Sequence, residues 1–244
     1  MGFTGRIGLL APSSNTTVET EFFQVLPKGV TLHVARLFIS QVTTEMIGSM
    51  VDTLEYEAKL LASADVDIIV LGATAPSFLH GIGTDRKMIE RIEAATGKPA
   101  TTTSTALLEA ARALGVNRLA LGSPFSPTVN GLCASFLDAN GFSVVACDGM
   151  NLVDNLQIGR LEVETAYEMG RQVDRPDAEA IVLACTNWRT IDIIERLERD
   201  SRKPVLTTSQ VTIWDALRKI GYDQGIPGFG RLLRDHMIGA RKAA

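Results

Sequence analysis

Hydrophobic and polar positions along the chain alternate between two textures. Short apolar runs at Arg6–Leu10, Val66–Leu71, Arg118–Gly122 and Ala180–Ala184 read as strands buried on both faces. Between them, apolar residues recur every three or four positions, the spacing of amphipathic helices. Further strands are predicted at Val30–Phe38, Pro99–Thr102, Phe142–Cys147 and Pro204–Thr207. Helices are predicted at Val18–Leu26, Thr44–Ala64, Lys87–Thr96, Ser104–Leu114, Val129–Asn140, Glu162–Val173, Ile191–Leu197 and Val211–Ile220, with a last one after Gly230. Ser14, Asn15 or Thr16 is expected to cap the first helix, and Gly97 and Gly115 to close two others. Strands alternating with helices of this length predict βαβ units and a mostly parallel sheet.

The pattern then starts again. Arg6-Ile7-Gly8-Leu9-Leu10-Ala11-Pro12 matches Arg118-Leu119-Ala120-Leu121-Gly122-Ser123-Pro124, and Ile69-Val70-Leu71-Gly72-Ala73-Thr74 matches Ile181-Val182-Leu183-Ala184-Cys185-Thr186. Both pairs are offset by 112 positions, as from Ala73 to Cys185. Lys98-Pro99 with Thr102-Thr103-Ser104 recurs as Lys203-Pro204 with Thr207-Thr208-Ser209 at an offset of 105. The expectation is an α/β protein of two tandem Rossmann-like halves, each with a parallel four-stranded sheet, related by a pseudo-two-fold. The first half spans residues 1–115 and is joined by the C-terminal helix, about 210–244; the second spans 116–209. Such a duplication brings the loops at 12–17, 73–78, 123–127 and 185–188 to one cleft, with Ala73 and Cys185 on its two sides.

Composition narrows the function. A net charge of −4 with no basic block argues against nucleic acid as a partner. No apolar run is long enough to span a bilayer, and the N-terminal apolar stretch is too short for a signal peptide. Cys133, Cys147 and Cys185 form no metal-ligand spacing. A cytoplasmic, reduced protein without metal or cofactor is expected, free of membrane association, and its long apolar helices allow a homo-oligomer.

Cys185 is the candidate for chemistry. It ends a buried strand, where open parallel sheets bind ligands. The helix after it is expected to aim free amides at the sulfur and bring its pKa near neutrality. Taken alone, such a cysteine is more often inert packing, which is the reading for Cys133 and Cys147. Asn15 and its neighbouring serines can cap a helix and touch a ligand at once. His80 reads as solvated surface, Arg189 as a lesser candidate for a carboxylate, and Trp188 as a pocket wall or a subunit contact. The glycine-rich run Gly225–Gly230 lacks the strand that a dinucleotide fingerprint requires.

With these residues in view, the chain resembles the aspartate/glutamate racemase superfamily, in the branch of maleate cis-trans isomerase and arylmalonate decarboxylase. The resemblance rests on Gly8–Thr17, Gly72–Phe78, Pro124–Asn130 and Ala184-Cys185-Thr186. Members with two catalytic cysteines carry one at each repeat-related position and move protons on both faces of a carbon beside a carboxylate. Here the first position is Ala73, which is similar to the decarboxylase pattern of one cysteine facing a small residue. The resemblance implies Cys185 as proton donor, with Thr74 and Ser77 as oxyanion or carboxylate donors. Where the family often has tyrosine, this chain has Phe125, without the hydroxyl.

Decarboxylation and α-proton transfer both pass through an enediolate, whose two oxygens gain charge together. Donors already aimed at them lower the barrier by ~3–4 kcal/mol each. Ser13, Ser14, Asn15, Thr74, Ser77, Thr186 and Asn187 are the candidate donors, and Pro12 lies on the same loop. Ala73, Ala75, Pro76, Phe78 and Phe125 are candidates for an apolar wall against which a carboxylate leaves as CO₂. The reading is a cofactor-independent decarboxylase of a small, substituted malonate-type carboxylate, protonated by Cys185. The alternatives are a maleate isomerase or Asp/Glu-type racemase and, since fold alone does not imply catalysis, a small-carboxylate binding module.

Overall fold

All eight predicted strands form, and they build two four-stranded parallel sheets. The computed structural model describes residues 4–237; residues 1–3 and 238–244, which both fall in the predicted first half with its C-terminal helix, lie outside the described residues. The first half contains β1 (Gly5–Pro12), α1 (Val18–Val25), β2 (Val30–Leu37), α2 (Thr44–Met50), α3 (Leu54–Ser63), β3 (Ile68–Leu71), α4 (Thr84–Thr96), β4 (Ala100–Thr102) and α5 (Thr103–Ala113). The rest contains β5 (Arg118–Ser123), α6 (Pro127–Ala139), β6 (Ser143–Gly149), α7 (Asn155–Gly159), α8 (Val163–Val173), β7 (Ala180–Leu183), α9 (Ile194–Ser201), β8 (Val205–Thr207), α10 (Thr208–Lys219) and α11 (Gly230–Asp235). Strand order is β2-β1-β3-β4 in one sheet and β6-β5-β7-β8 in the other.

The duplication extends to individual hydrogen bonds. β1 pairs with β3 in the register Ile7 opposite Ile68, and β5 with β7 as Leu119 opposite Ala180. The Asp67 carboxylate accepts from the Arg6 amide at 2.7 Å, and Glu179 from Arg118 at 3.0 Å. Glu93 accepts from the Ala100 amide, and Glu198 from Val205. Thr102 caps α5 and Thr207 caps α10, the latter in a full capping box with Gln210. Each device satisfies a backbone donor at a strand or helix start, where the ladder cannot.

The halves are joined by α10, which packs on α5. Thr212 donates to Thr103 at 3.0 Å and Thr101 to the fully buried Asp215 at 2.6 Å, while Trp214 is completely buried in the same helix. Polar pairs of this kind fix one register between apolar helix faces.

Three expectations need correction. The predicted Thr44–Ala64 helix is broken by a 3₁₀ turn at Val51–Thr53. Arg91 donates to the Val51 carbonyl at 2.8 Å, which also accepts the Leu54 amide, and pairs with Glu55 beyond the break. The break lets α2 lean toward the 75–77 turn while α3 packs on β1 and β2. The helix predicted from Ile191 opens as a 3₁₀ turn, Ile191–Ile193, before α9. Cys147 is exposed rather than core, because β6 is an edge strand; Cys133 is buried in α6.

Candidate active site

One cavity, with about 370 Å³ of empty space including its open mouth, is lined by loops from both halves. Pro12 and Asn15 come from the loop after β1, and Ala73, Thr74, Ala75 and Pro76 from that after β3. Phe125 follows β5, and Cys185, Thr186 and Asn187 follow β7. Ala73 and Cys185 therefore border the same space, each at the carboxyl end of the third strand of its half.

Each of these loops is fixed by bonds the sequence makes locally. The Cys185 amide donates to Thr208 Oγ1 at 3.0 Å, and the Asn187 amide points at the Cys185 sulfur. Asn15 Oδ1 accepts the Thr17 and Val18 amides at 2.8 and 2.9 Å, capping α1, while its Nδ2 donates to Thr186 Oγ1 at 3.2 Å. Thr186 Oγ1 in turn donates to the Gly72 carbonyl at 3.1 Å. Asn187 accepts from the Thr16 amide at 2.8 Å and donates to the Asn155 carbonyl at 2.6 Å. The two halves are thus stitched through the donors that were candidates for the substrate. Thr74 is the exception: its buried Oγ1 has no partner and does not cap the turn that it begins.

Burial pushes the Cys185 thiol up to about 12, with the charge of Glu21 adding to the effect and the Asn187 amide opposing it. The expected fall toward neutrality does not occur. The amides expected to face the sulfur, those of Thr190 and Ile191, instead donate to Glu21 Oε1 at 2.6 and 3.0 Å. A carboxylate from α1 plugs that helix start.

Other expectations also shift. Ser13 and Ser14 lie outside the cavity lining and bond the Ile39 carbonyl, and Ser13 also accepts the Ile39 amide, so their hydroxyls hold a loop. Ser77 is fully buried, donates to the Thr74 carbonyl and contacts Ser104 at 2.6 Å, away from the cavity. Phe78 packs against Phe136 in the interior. Trp188 is completely buried, with its Nε1 bonded to Thr165, and is neither pocket wall nor subunit contact. Arg189 bonds the Leu161 carbonyl at the surface, and His80 is exposed.

Residues missed from sequence complete the wall. Ile39, Val42, Ile47 and Met50 form an apolar side, and Asn155 a polar corner. They come from the loop after β2, from α2 and from α7. Val42 is tied to the second half by its amide, which donates to the Val153 carbonyl at 2.8 Å. Arg36 stands behind the site, donating to the carbonyls of Ser13 and Asn15 at 3.2 and 2.9 Å and pairing with Glu19. No Lys, Arg or His is among the cavity-lining residues, so neutral donors face any bound anion.

The comparisons with known proteins agree with this geometry. The family profile described as arylmalonate decarboxylase matches residues 7–233. A maleate isomerase of Pseudomonas putida is 27% identical over 241 residues, covering 93% of this chain and 96% of its own. An arylmalonate decarboxylase of Bordetella bronchiseptica is 28% identical over 232 residues, covering 94% and 96%. Among solved structures, a cysteine-to-serine variant of the Nocardia farcinica maleate cis-trans isomerase, with a covalently bound succinylcysteine intermediate, superposes with a TM-score of 0.91 at 26% identity. That match covers 95% of this chain and 99% of the other. On the match of the family profile to nearly its whole length, the chain belongs to the arylmalonate decarboxylase family.

Proposed function

We propose that this protein is a cofactor-independent decarboxylase of a malonate-type dianion carrying an apolar substituent, and that Cys185 protonates the resulting enediolate. The observation that carries the reading is the contrast across one cavity, with a thiol at Cys185 and a methyl group at Ala73.

The substrate's retained carboxylate sits on the neutral donor side, where the unpaired Thr74 hydroxyl is free to bond an oxygen that gains charge. The departing carboxylate lies against Ile39, Val42, Ile47 and Met50. An apolar wall solvates a carboxylate poorly and neutral CO₂ well, so leaving is favoured. The carbanion then takes a proton from Cys185 on one face only. A thiol pushed up to about 12 stays protonated at neutral pH, which suits a proton donor. The same shift works against nucleophilic addition, which needs a thiolate. A mechanism through a cysteine adduct, of the kind named for the Nocardia farcinica enzyme, has no second sulfur to call on at position 73.

The test is incubation with phenylmalonate in D₂O. The expected result is CO₂ release, one deuterium in the shortened acid and none in recovered substrate. Conversion of maleate to fumarate without CO₂ release from malonates would replace this reading by isomerisation. Binding without turnover of either would leave a binding module.

A further inference from the structure

Glu21 is the buried carboxyl that this scheme leaves idle. Its Oε1 is taken up by the Thr190 and Ile191 amides, but its Oε2 has no partner. Two neighbouring buried hydroxyl oxygens, Thr190 Oγ1 and Ser209 Oγ, are also unpaired. Ser209 faces the carboxyl without closing a hydrogen bond, and the residue before it, Thr208, accepts the Cys185 amide. One helical turn beyond Glu21, Gln24 donates to Asp192 at the exposed surface. The carboxyl is thus buried where its charge acts on the Cys185 thiol, in a set of oxygens that is satisfied only when a proton or a water completes it.

Each turnover needs a proton to restore the thiol. A malonate dianion loses CO₂ to leave an enediolate dianion, the Cys185 S–H bond breaks as a C–H bond forms, and a monocarboxylate and a thiolate remain. We propose that Glu21 is the proton-relay residue that restores the Cys185 thiol, passing its carboxyl proton across the Ser209 hydroxyl and recovering one from solvent on the Gln24–Asp192 side. Oε2–H breaks, S–H forms, and the net reaction consumes one solvent proton per CO₂. The relay rests on the decarboxylase reading; the electrostatic coupling of the two groups does not.

Burial holds Glu21 near 7, with Ser209 and the two amides lowering it and Asp192 raising it. It therefore carries a proton for much of the time at neutral pH and gives it downhill to a thiolate whose acid lies near 12. Asp192 is the charged group acting on it, and its own charge acts on Cys185; the first turn of α10, which packs against α1, is Thr208, Ser209 and Gln210.

The test compares the full-length protein with Glu21→Gln, which keeps an oxygen for the Thr190 and Ile191 amides. Rapid mixing with phenylmalonate should give one equivalent of CO₂ at the wild-type rate, then steady turnover slowed at least about tenfold as the thiolate waits for a proton. Ser209→Ala should show the same burst with milder slowing, and it carries the test should Glu21→Gln fold poorly. Steady turnover at the wild-type rate in both variants overturns the relay. Iodoacetamide labelling of Cys185, read by peptide mapping, needs no turnover. At pH 8.5, Glu21→Gln should label about tenfold faster than wild type, one unit of thiol pKa, and the two should agree near pH 6. If phenylmalonate is inert but the labelling differs as described, the decarboxylase reading fails and the coupling stands; identical labelling at every pH removes the coupling.

Discussion

The loops after β3 and β7 share a backbone and differ in what they offer. The Gly72 amide donates to the Leu10 carbonyl and the Ala184 amide to the Gly122 carbonyl, both at 2.9 Å. The next residue is Ala73 in one loop and Cys185 in the other. After it comes a threonine in both: Thr186 is tied to Gly72 and Asn15, whereas the Thr74 hydroxyl is unpaired. Duplication has copied the frame, and single side chains have divided the labour. In the proposed reaction the second half would supply the proton through Cys185, while the first offers an unspent donor at Thr74 and an apolar floor. A symmetric site would carry a thiol on both sides of the cavity; this one carries a thiol at Cys185 and a methyl group at Ala73.

The largest effect should come from moving the sulfur. Cys185→Ala should lower CO₂ release about 10³-fold, within the range for losing a positioned general acid, with the thermal midpoint nearly unchanged. Adding Ala73→Cys to that variant should recover part of the rate and invert the configuration of the α-carbon. Chiral chromatography of the product from a prochiral arylmethylmalonate reads this directly. Recovery with unchanged configuration would mean that the two loops do not address opposite faces.

A smaller effect tests the carboxyl that crosses from one half to plug the other. The folded protein holds Glu21 near 7 against an ordinary value of 4.5. The raised value means the folded state keeps the proton more tightly than the unfolded chain. Its contribution is fully present below about 4.5 and is lost as pH rises through about 7, at up to about 3 kcal/mol. The urea-unfolding free energy of wild type relative to Glu21→Gln should therefore fall by that order between pH 4.5 and pH 8. A difference that stays flat would show that Glu21 ionises normally.

Much of this was legible before the structure. The repeat predicts both sheets, because the strands and the helix caps recur at offsets of 112 and 105. It also predicts that Ala73 and Cys185 meet. The apolar wall was not legible. Ile39, Val42, Ile47 and Met50 come from a loop and a helix stub that ends in a break bonded by Arg91, a residue 40 positions away from Val51. Asn155 opens the short α7, too brief for any periodicity to reveal. The serines misled for a simpler reason. A hydroxyl beside a site is equally fit to bond the backbone, and Ser13, Ser14 and Ser77 do so. Glu21 lies in the first turn of α1, where acids are common, and nothing in the sequence says that it faces the other half.

The smallest effects should separate the two threonines. At Thr74 the hydroxyl bonds nothing in the free protein, so Thr74→Val removes no native hydrogen bond and keeps the shape. Its unfolding midpoint should stay within about 1 °C, while kcat falls about tenfold to a hundredfold, the worth of one hydrogen bond to a charged oxygen. At Thr186 the balance reverses. Thr186→Val strands the Gly72 carbonyl and the Asn15 amide in a buried seam, at a cost of about 1–3 kcal/mol of stability. Its effect on kcat should be the lesser one, because its hydroxyl is already engaged on both sides. The pair distinguishes a donor kept for the reacting carboxylate from one used to hold the halves together. If both variants lose stability alike and neither loses turnover selectively, Thr74 is only a second piece of the seam, and the enediolate must be held by groups other than its hydroxyl.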